Sequence, residues 1–135
     1  MGRDFFGKIP NGAPGIELRL ALLHHFGVNK GKFNLQKLVE ITSTNPAKIF
    51  GLYPHKGTIA MGGDADIVIF DPAAEITVSS DMLHENVDYT PYEGTRLTGY
   101  PVGTIANGQV IVEKGKFIGQ VGAGKFIKRR SPQII

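Results

Sequence analysis

The sequence contains no cysteine and no tryptophan among its 135 residues. Without cysteine there can be no disulfide framework and no thiolate site, and the composition weakly favours a reducing compartment. No apolar run approaches the roughly 20 residues that a membrane-spanning helix needs. The first residues also lack the long apolar segment of a secretory signal. We therefore expect a cytoplasmic protein with no membrane partner.

The excess of one charge over the other is also small, since the sequence has 15 basic and 12 acidic residues and a net charge of +3. Much of the excess lies in a basic tail, which is defined by Lys125, Lys128, Arg129 and Arg130. Such a tail either binds an anionic partner such as a nucleic acid or is a solvated, frayed terminus. We expect the second, and hence no nucleic-acid partner.

No local motif assembles an active site. The four histidines, at positions 24, 25, 55 and 84, lack the spacing of a metal-binding helix, and no P-loop, dinucleotide fingerprint or G-x-S-x-G is present. Asp64 and Asp66 stand two residues apart before an apolar run. They could form a carboxylate pair for metal or acid–base chemistry, or they could supply turn hydrogen bonds at the entrance of a strand. The second role is favoured because aspartate commonly bonds its own backbone in turns.

The apolar run Ile67–Phe70 is the most distinct element of the sequence. It is uninterrupted and rich in β-branched residues, which predicts a short strand covered on both faces. Gly62-Gly63-Asp64 predicts a turn before this strand. Asp71-Pro72 predicts its end, because proline removes a donor from the ladder.

The sequence is helical in pattern before residue 57 and strand-like after it. Ile16–Phe26 predicts a first helix that ends at Gly27, with an apolar arc wide enough to favour coverage on most sides. A second helix follows the N-cap Asn34, and a third, short one has Asn45 as its N-cap. The remaining predictions are a loop over 1–15, an end of the third helix at Gly51, a strand over 75–79, an ordered loop over 81–99 and a meander of 102–106, 109–113 and 116–118 with a type I′ turn at Asn107-Gly108.

Four segments together resemble the C-terminal part of dihydropyrimidinases and D-hydantoinases, in the amidohydrolase superfamily. The segments are KIPNGAPGIELR (8–19), TSTNPAKIFGLYPHKGTIAMGGDADIVIFDP (42–72), NVDYTPYEG (86–94) and GKFIKR (124–129). They follow one another over nearly the whole chain, and the long central segment is specific. The collapsin response mediator proteins, relatives that lack the metal chemistry, share much of this region.

The resemblance implies an α+β protein that carries the last helices of a (β/α)₈ amidohydrolase barrel, followed by the C-terminal strands of a β-sandwich. Residues 1–52 would form the active-site loop and outer helices of the barrel, and residues 53–130 the C-terminal part of the sandwich. Residues 131–135 would be a tail.

The resemblance also implies an activity. The family hydrolyses the C–N bond of cyclic amides, namely 5,6-dihydropyrimidines and hydantoins, with two divalent metal ions that are usually zinc. None of the family's metal ligands matches a position of this sequence, so we expect no metal ligand, no catalytic residue and no catalysis by this chain alone. The segment Asn11-Gly12 presents backbone groups to the ring amide in this family. Asn11 is therefore the predicted substrate contact, and the alternative is that Asn11-Gly12 is only a turn.

Partners follow from the same reasoning. Barrel helices without the sheet that they cover expose apolar surface, at about 25 cal/mol per Å². We therefore expect the chain to associate with a missing N-terminal portion or with itself. The alternatives are a non-catalytic binding or assembly module and a relative of the collapsin response mediator proteins.

Overall fold

A helical first part packs against an antiparallel sheet, which is the α+β class that the sequence predicts. The structure is a computed structural model that describes residues 2, 4–9 and 11–135. Pro10, part of the predicted loop over 1–15, lies outside the described residues. A 3₁₀ turn, Phe6–Lys8, lies inside that loop.

The first helix begins and ends later than Ile16–Phe26, the range that its sequence pattern predicts. It begins with α1 (Arg19–Leu23) and continues directly into a π-helical turn, His24–Val28. The predicted end at Gly27 is wrong, since the first left-handed residue after the helix begins is Gly31, at φ +68°. Gly27 is instead needed for packing, because a Cβ at this position would lie 2.0 Å from the ring of Phe33.

The second helix starts where the sequence predicts. Its first segment, α2 (Leu35–Val39), follows Asn34, whose Oδ1 accepts the N–H of Lys37 at 2.9 Å. This hydrogen bond satisfies one of the N–H groups that a helix leaves free at its start, so the predicted N-cap is confirmed. Leu38 is the residue of α2 that becomes buried.

The predicted third helix is a continuation of the second. A π-helical turn, Glu40–Thr44, joins α2 to α3 (Asn45–Ile49) without a break. The prediction of Asn45 as an N-cap is wrong, because its φ of −66° and ψ of −45° are helical. The wider π turn accommodates Pro46, whose ring would otherwise press on the preceding turn. None of the helices in the described part of the chain is long and apolar enough to cross a membrane.

Four antiparallel strands form one sheet, in which each strand pairs with the next one along the chain. Asn107 and Gly108 have φ values of +49° and +76°, so the predicted type I′ turn is confirmed. The second strand starts at residue 96, so the predicted loop over 81–99 is shorter at its end. The strands are β1 (Ile67–Thr77), β2 (Arg96–Ala106), β3 (Gln109–Glu113) and β4 (Lys116–Phe117).

Strand β1 unites two predicted strands, and its predicted end at Asp71-Pro72 is wrong. Its pairing with β2 shifts register between Asp71 and Glu75. Pro72 lies in this irregular stretch, where a missing N–H is tolerated because no ladder bond is needed. The predicted coverage of both faces is also wrong for this chain, since Val68 and Ile69 are 48% and 51% exposed.

The core lies between the first helix and the sheet. Apolar side chains elsewhere remain uncovered, with Phe6 80% and Ile16 77% exposed. Both precede the first helix, in which only Arg19 and Phe26 are exposed, so the helix agrees with the coverage on most sides that its pattern predicts. Association with a further chain stays a prediction. The buried core consists of Leu18, Ala21, Val78 and Leu97.

Two adjacent histidines fasten the first helix to β2. Nδ1 of His24 lies 2.9 Å from the carbonyl oxygen of Thr98, and the N–H of Thr98 donates to Nδ1 of His25 at 3.0 Å. The ring of His24 is buried and packs on Phe70, with ring centroids 4.8 Å apart. The pair therefore clamps one residue of the sheet.

The basic tail runs back along the end of α3. Its backbone is anchored there, because the N–H of Arg130 donates to the carbonyl of Gly51 at 2.8 Å and that of Gln133 to Lys48 at 3.0 Å. Its side chains are exposed. The tail is solvated as predicted, but its backbone is held and is not frayed.

Candidate functional site

The histidines do not converge on a metal ion. Two of them clamp Thr98, while Nε2 of His55 lies 3.2 Å from Nη2 of Arg130 and Nδ1 of His84 lies 2.8 Å from Oε1 of Glu17. Among residues 2, 4–9 and 11–135, no group of three or more His, Cys, Asp or Glu side chains could hold a metal. The donor set of this part of the chain therefore does not fit the two-metal centre that the resemblance implies.

Asp64 and Asp66 share one lysine. Nζ of Lys56 lies 2.9 Å from Oδ2 of Asp64 and also contacts Asp66. Oδ1 of Asp66 accepts the N–H of Asn107 at 2.8 Å. The two carboxylates therefore tie the entrance of β1 to the turn between β2 and β3, which agrees with the structural role that the sequence favours.

Hydrogen bonds within this cluster favour the charged forms of Asp66 and Lys56. The hydrogen bond from Lys56 lowers the pKa of Asp66, and the N–H of Asn107 lowers it further. Burial alone would lower the pKa of Lys56, but hydrogen bonds to Asp66 and Asp64 leave that pKa raised.

The lowered pKa of Asp66 predicts an acid-sensitive contribution to stability. The contribution is fully present above the ordinary aspartate pKa of 3.8 and is lost as the pH falls through the lower pKa of the folded state. We expect Asp66→Asn to lose roughly 0.5–1 kcal/mol at pH 7, since the pair is partly exposed, and to lose less in acid.

Urea unfolding between pH 7 and pH 2 measures this difference. Asp71→Asn is the matched control, because Oδ1 of Asp71 accepts a backbone N–H, that of Ala73, at 2.9 Å. A gap between wild type and Asp66→Asn that stays constant down to pH 2 would refute the assignment.

A cavity of about 360 Å³ lies beside Asn11-Gly12. This volume is within the range of small-molecule sites and accommodates a single small ring. Asn11 and Gly12 are exposed, so their peptide groups are accessible, and Gly12 has φ +85°, which glycine adopts readily. The cavity is lined on one side by residues 11–16 and on the other by Glu85, Asn86, Val87 and Tyr89.

Two carboxylates hold the sides of this cavity together. Oε1 of Glu85 accepts the N–H groups of Gly15 at 2.9 Å and Ile16 at 3.1 Å. In the reverse direction, Oε2 of Glu17 accepts the N–H of His84 at 2.7 Å. Sequence reasoning missed Glu85 and gave His84 and Glu17 no role. No local signal could have found them, because the partners are about 70 positions apart.

The same cluster reaches the core through Tyr100. Burial raises the pKa of Tyr100, and the charge of Glu17 raises it further. Tyr100 packs against the buried core cluster, so the hydrogen bonds of Glu17 and Glu85 lie close to the core.

A second cavity, of about 450 Å³, lies between the first π-helical turn, His24–Val28, and the region where the end of β1 pairs with the start of β2. Its lining includes His25, Glu75 and Arg96. None of the residues that the sequence predicts to bind substrate lies there.

Comparison with known proteins identifies the relatives of this chain. The sequence model of the amidohydrolase family matches residues 9–111. The chain is 48% identical to a D-hydantoinase of Ralstonia pickettii over 129 residues, which cover 96% of the chain and 28% of that protein. It is 48% identical to a dihydropyrimidinase of Rattus norvegicus over 130 residues, which cover 96% of the chain and 25% of that protein.

A solved structure agrees with the sequence matches. The crystal structure of a dihydropyrimidinase from Brevibacillus agri NCHU1002 superimposes with a TM-score of 0.91 at 47% identity, covering 99% of this chain and 29% of that one. The chain thus spans little more than a quarter of the length of these relatives. It belongs to the amidohydrolase family, and its homologues there are D-hydantoinases and dihydropyrimidinases.

Proposed function

We propose that this chain is the substrate-facing C-terminal segment of a metal-dependent hydrolase that cleaves the C–N bond of cyclic amides, 5,6-dihydropyrimidines or hydantoins. The observation that carries the proposal is the exposed Asn11-Gly12 loop, which is fixed at the side of a 360 Å³ cavity in a chain 48% identical to a D-hydantoinase. In this proposal the backbone of Asn11-Gly12 contacts the ring amide.

The chemistry of the ligand matches what such a loop offers. A ring amide presents an N–H donor beside a carbonyl acceptor, and exposed peptide groups supply the complementary acceptor and donor. A loop whose end is held by two hydrogen bonds, from the N–H groups of Gly15 and Ile16 to Glu85, loses less conformational entropy when it binds than a free loop would. The residues of this chain would therefore bind and orient the ring.

The architecture and partners belong to the same proposal. Residues 1–52 form the last loop and outer helices of a (β/α)₈ barrel, residues 53–130 the C-terminal part of a β-sandwich, and residues 131–135 a tail. The two divalent ions, with zinc as the metal, are held by an N-terminal portion. That portion also covers apolar side chains such as Phe6 and Ile16, and without it the chain self-associates.

Amide chemical shifts of the ¹⁵N-labelled chain test the site. We expect hydantoin and dihydrouracil to shift the amide signals of Gly12 and Ala13, which line the cavity. 1,3-Dimethylhydantoin, which has no ring N–H, is the matched control and should shift them far less. Shifts confined to the second cavity, near Arg96, or no shifts at all would contradict the proposal.

A further inference from the structure

We propose that Glu85 is a positioning residue: by binding Gly15 and Ile16 at the end of the Asn11-Gly12 loop, it fixes the backbone conformation of that loop. The identity of the ligand that the loop binds rests on the proposed function. The positioning role rests on geometry alone. Glu85 lies in the segment between β1 and β2 and reaches a part of the chain about 70 positions earlier.

The first observation is that one oxygen holds two successive peptide groups. Oε1 of Glu85 accepts the N–H of Gly15 at 2.9 Å and that of Ile16 at 3.1 Å. Two bonds to one charged acceptor fix the direction of the backbone as well as its place. Only Ala13 and Pro14 separate this point from Gly12, and proline restricts φ, so the constraint extends toward Gly12.

The second observation distinguishes this contact from helix capping. Helix α1 starts at Arg19, and Leu18 precedes it without a side-chain capping bond. Gly15 and Ile16 lie before that start. The N–H groups that Glu85 binds therefore belong to the loop. Loss of these two hydrogen bonds would affect the loop before it affected the helix.

The third observation is that Glu85 itself is held. Its neighbour His84 is bound to Glu17 through both its backbone N–H, at 2.7 Å, and its ring Nδ1, at 2.8 Å. Oε2 of Glu85 is shielded from solvent and has no partner among the described residues. A carboxylate that leaves an oxygen unpaired is not optimal for stability alone. The arrangement suits a group whose role is to orient the loop.

Hydrogen exchange of the loop amides in the ¹⁵N-labelled chain tests this role. In Glu85→Ala we expect the amides of Gly15 and Ile16 to exchange at least about tenfold faster, because they lose a charged acceptor. The apparent Kd for hydantoin, followed at the Gly12 signal, should rise about tenfold as the loop loses its order. Glu85→Gln keeps an acceptor oxygen and should stay within about threefold of wild type.

Glu93→Ala is the matched control. Oε2 of Glu93 accepts the N–H of Ser80 at 2.9 Å, so this variant also removes a carboxylate-to-backbone bond from the segment between β1 and β2. It should leave loop exchange and hydantoin binding unchanged. Should Glu85→Ala fail to fold, Glu85→Asp keeps the charge, withdraws the oxygen by one methylene and should accelerate exchange by about threefold or more.

Each outcome decides the proposal. Faster exchange that extends from Gly15 and Ile16 to Gly12 and Ala13 in Glu85→Ala or Glu85→Asp, with Glu93→Ala unchanged, supports positioning. It supports positioning even if wild type shows no hydantoin shift, in which case the proposed function fails by itself. Faster exchange confined to Gly15 and Ile16 would show only that they lost their acceptor and would overturn the positioning role. Unchanged loop exchange in Glu85→Ala or Glu85→Asp, or an equal change in Glu93→Ala, would overturn the role of Glu85.

Discussion

Gly99→Ala is expected to lower the free energy of unfolding by about 3–5 kcal/mol. Gly99 has φ +98°, which is unfavourable for any residue with a Cβ, and a Cβ at this position would lie 2.1 Å from Nδ1 of His24. The histidine ring cannot move aside easily, because it is buried and Nδ1 lies 2.9 Å from the carbonyl oxygen of Thr98. Alanine therefore combines backbone strain with overpacking at the contact between the first helix and β2.

Gly94→Ala separates the two causes. Gly94 has φ +75°, but a Cβ there would meet no atom within 4 Å, so only the backbone strain of about 1–2 kcal/mol applies. Urea unfolding of both variants, followed by circular dichroism, measures the difference. Equal losses of stability in the two variants would show that the contact with His24 does not constrain the sheet.

Gly12→Pro is expected to lower kcat/KM for hydantoin by about 100-fold or more in a hydrolase reconstituted from this chain and the N-terminal portion of a relative. Proline removes the N–H of Gly12, and its ring holds φ near −65°, far from the observed +85°. The peptide groups that the proposal assigns to the ring amide would be lost or turned away. Asn11→Ala leaves this backbone in place and should change kcat/KM by less than about threefold.

Gly62→Pro is the matched control for general disruption. Gly62 has φ +82° in the turn before β1, and no atom lies within 4 Å of a Cβ placed there. It should lower stability without a comparable loss of kcat/KM. If Asn11→Ala loses more activity than Gly12→Pro, the side chain contacts the substrate and the backbone assignment is wrong.

Local sequence signals predicted the elements that neighbouring residues determine. The N-cap at Asn34 needs only an N–H three residues later, and the turn at Asn107-Gly108 needs only two residues that tolerate positive φ. Both are confirmed. The resemblance added the family, which the comparisons confirm.

The errors arose where longer-range structure overrides a local stop signal. Gly27 was predicted to end a helix, but it stays helical and packs against Phe33. Asn45 and Pro72 were predicted to begin or end elements, but a π-helical turn carries the helix into α3 and a register shift lets β1 continue. Such irregularities depend on tertiary packing and leave no periodic signal.

The candidate site could be predicted only in part. The substrate contact of Asn11 came from the resemblance and stays a prediction. The carboxylates that hold its loop could not be predicted, because Glu85 contacts residues about 70 positions away and a lone glutamate carries no motif. Long-range contacts of this kind need the fold before they can be seen.

Hydrolysis of hydantoin and dihydrouracil tests the central claim most directly. The purified chain, supplied with zinc, is assayed alone and together with the N-terminal portion of the R. pickettii D-hydantoinase. The account predicts no turnover by the chain alone, and turnover that a chelator removes once the two parts are combined. Chelator-sensitive turnover by the chain alone would contradict it, as would a stable complex of the two parts without turnover, which would indicate a binding or assembly module.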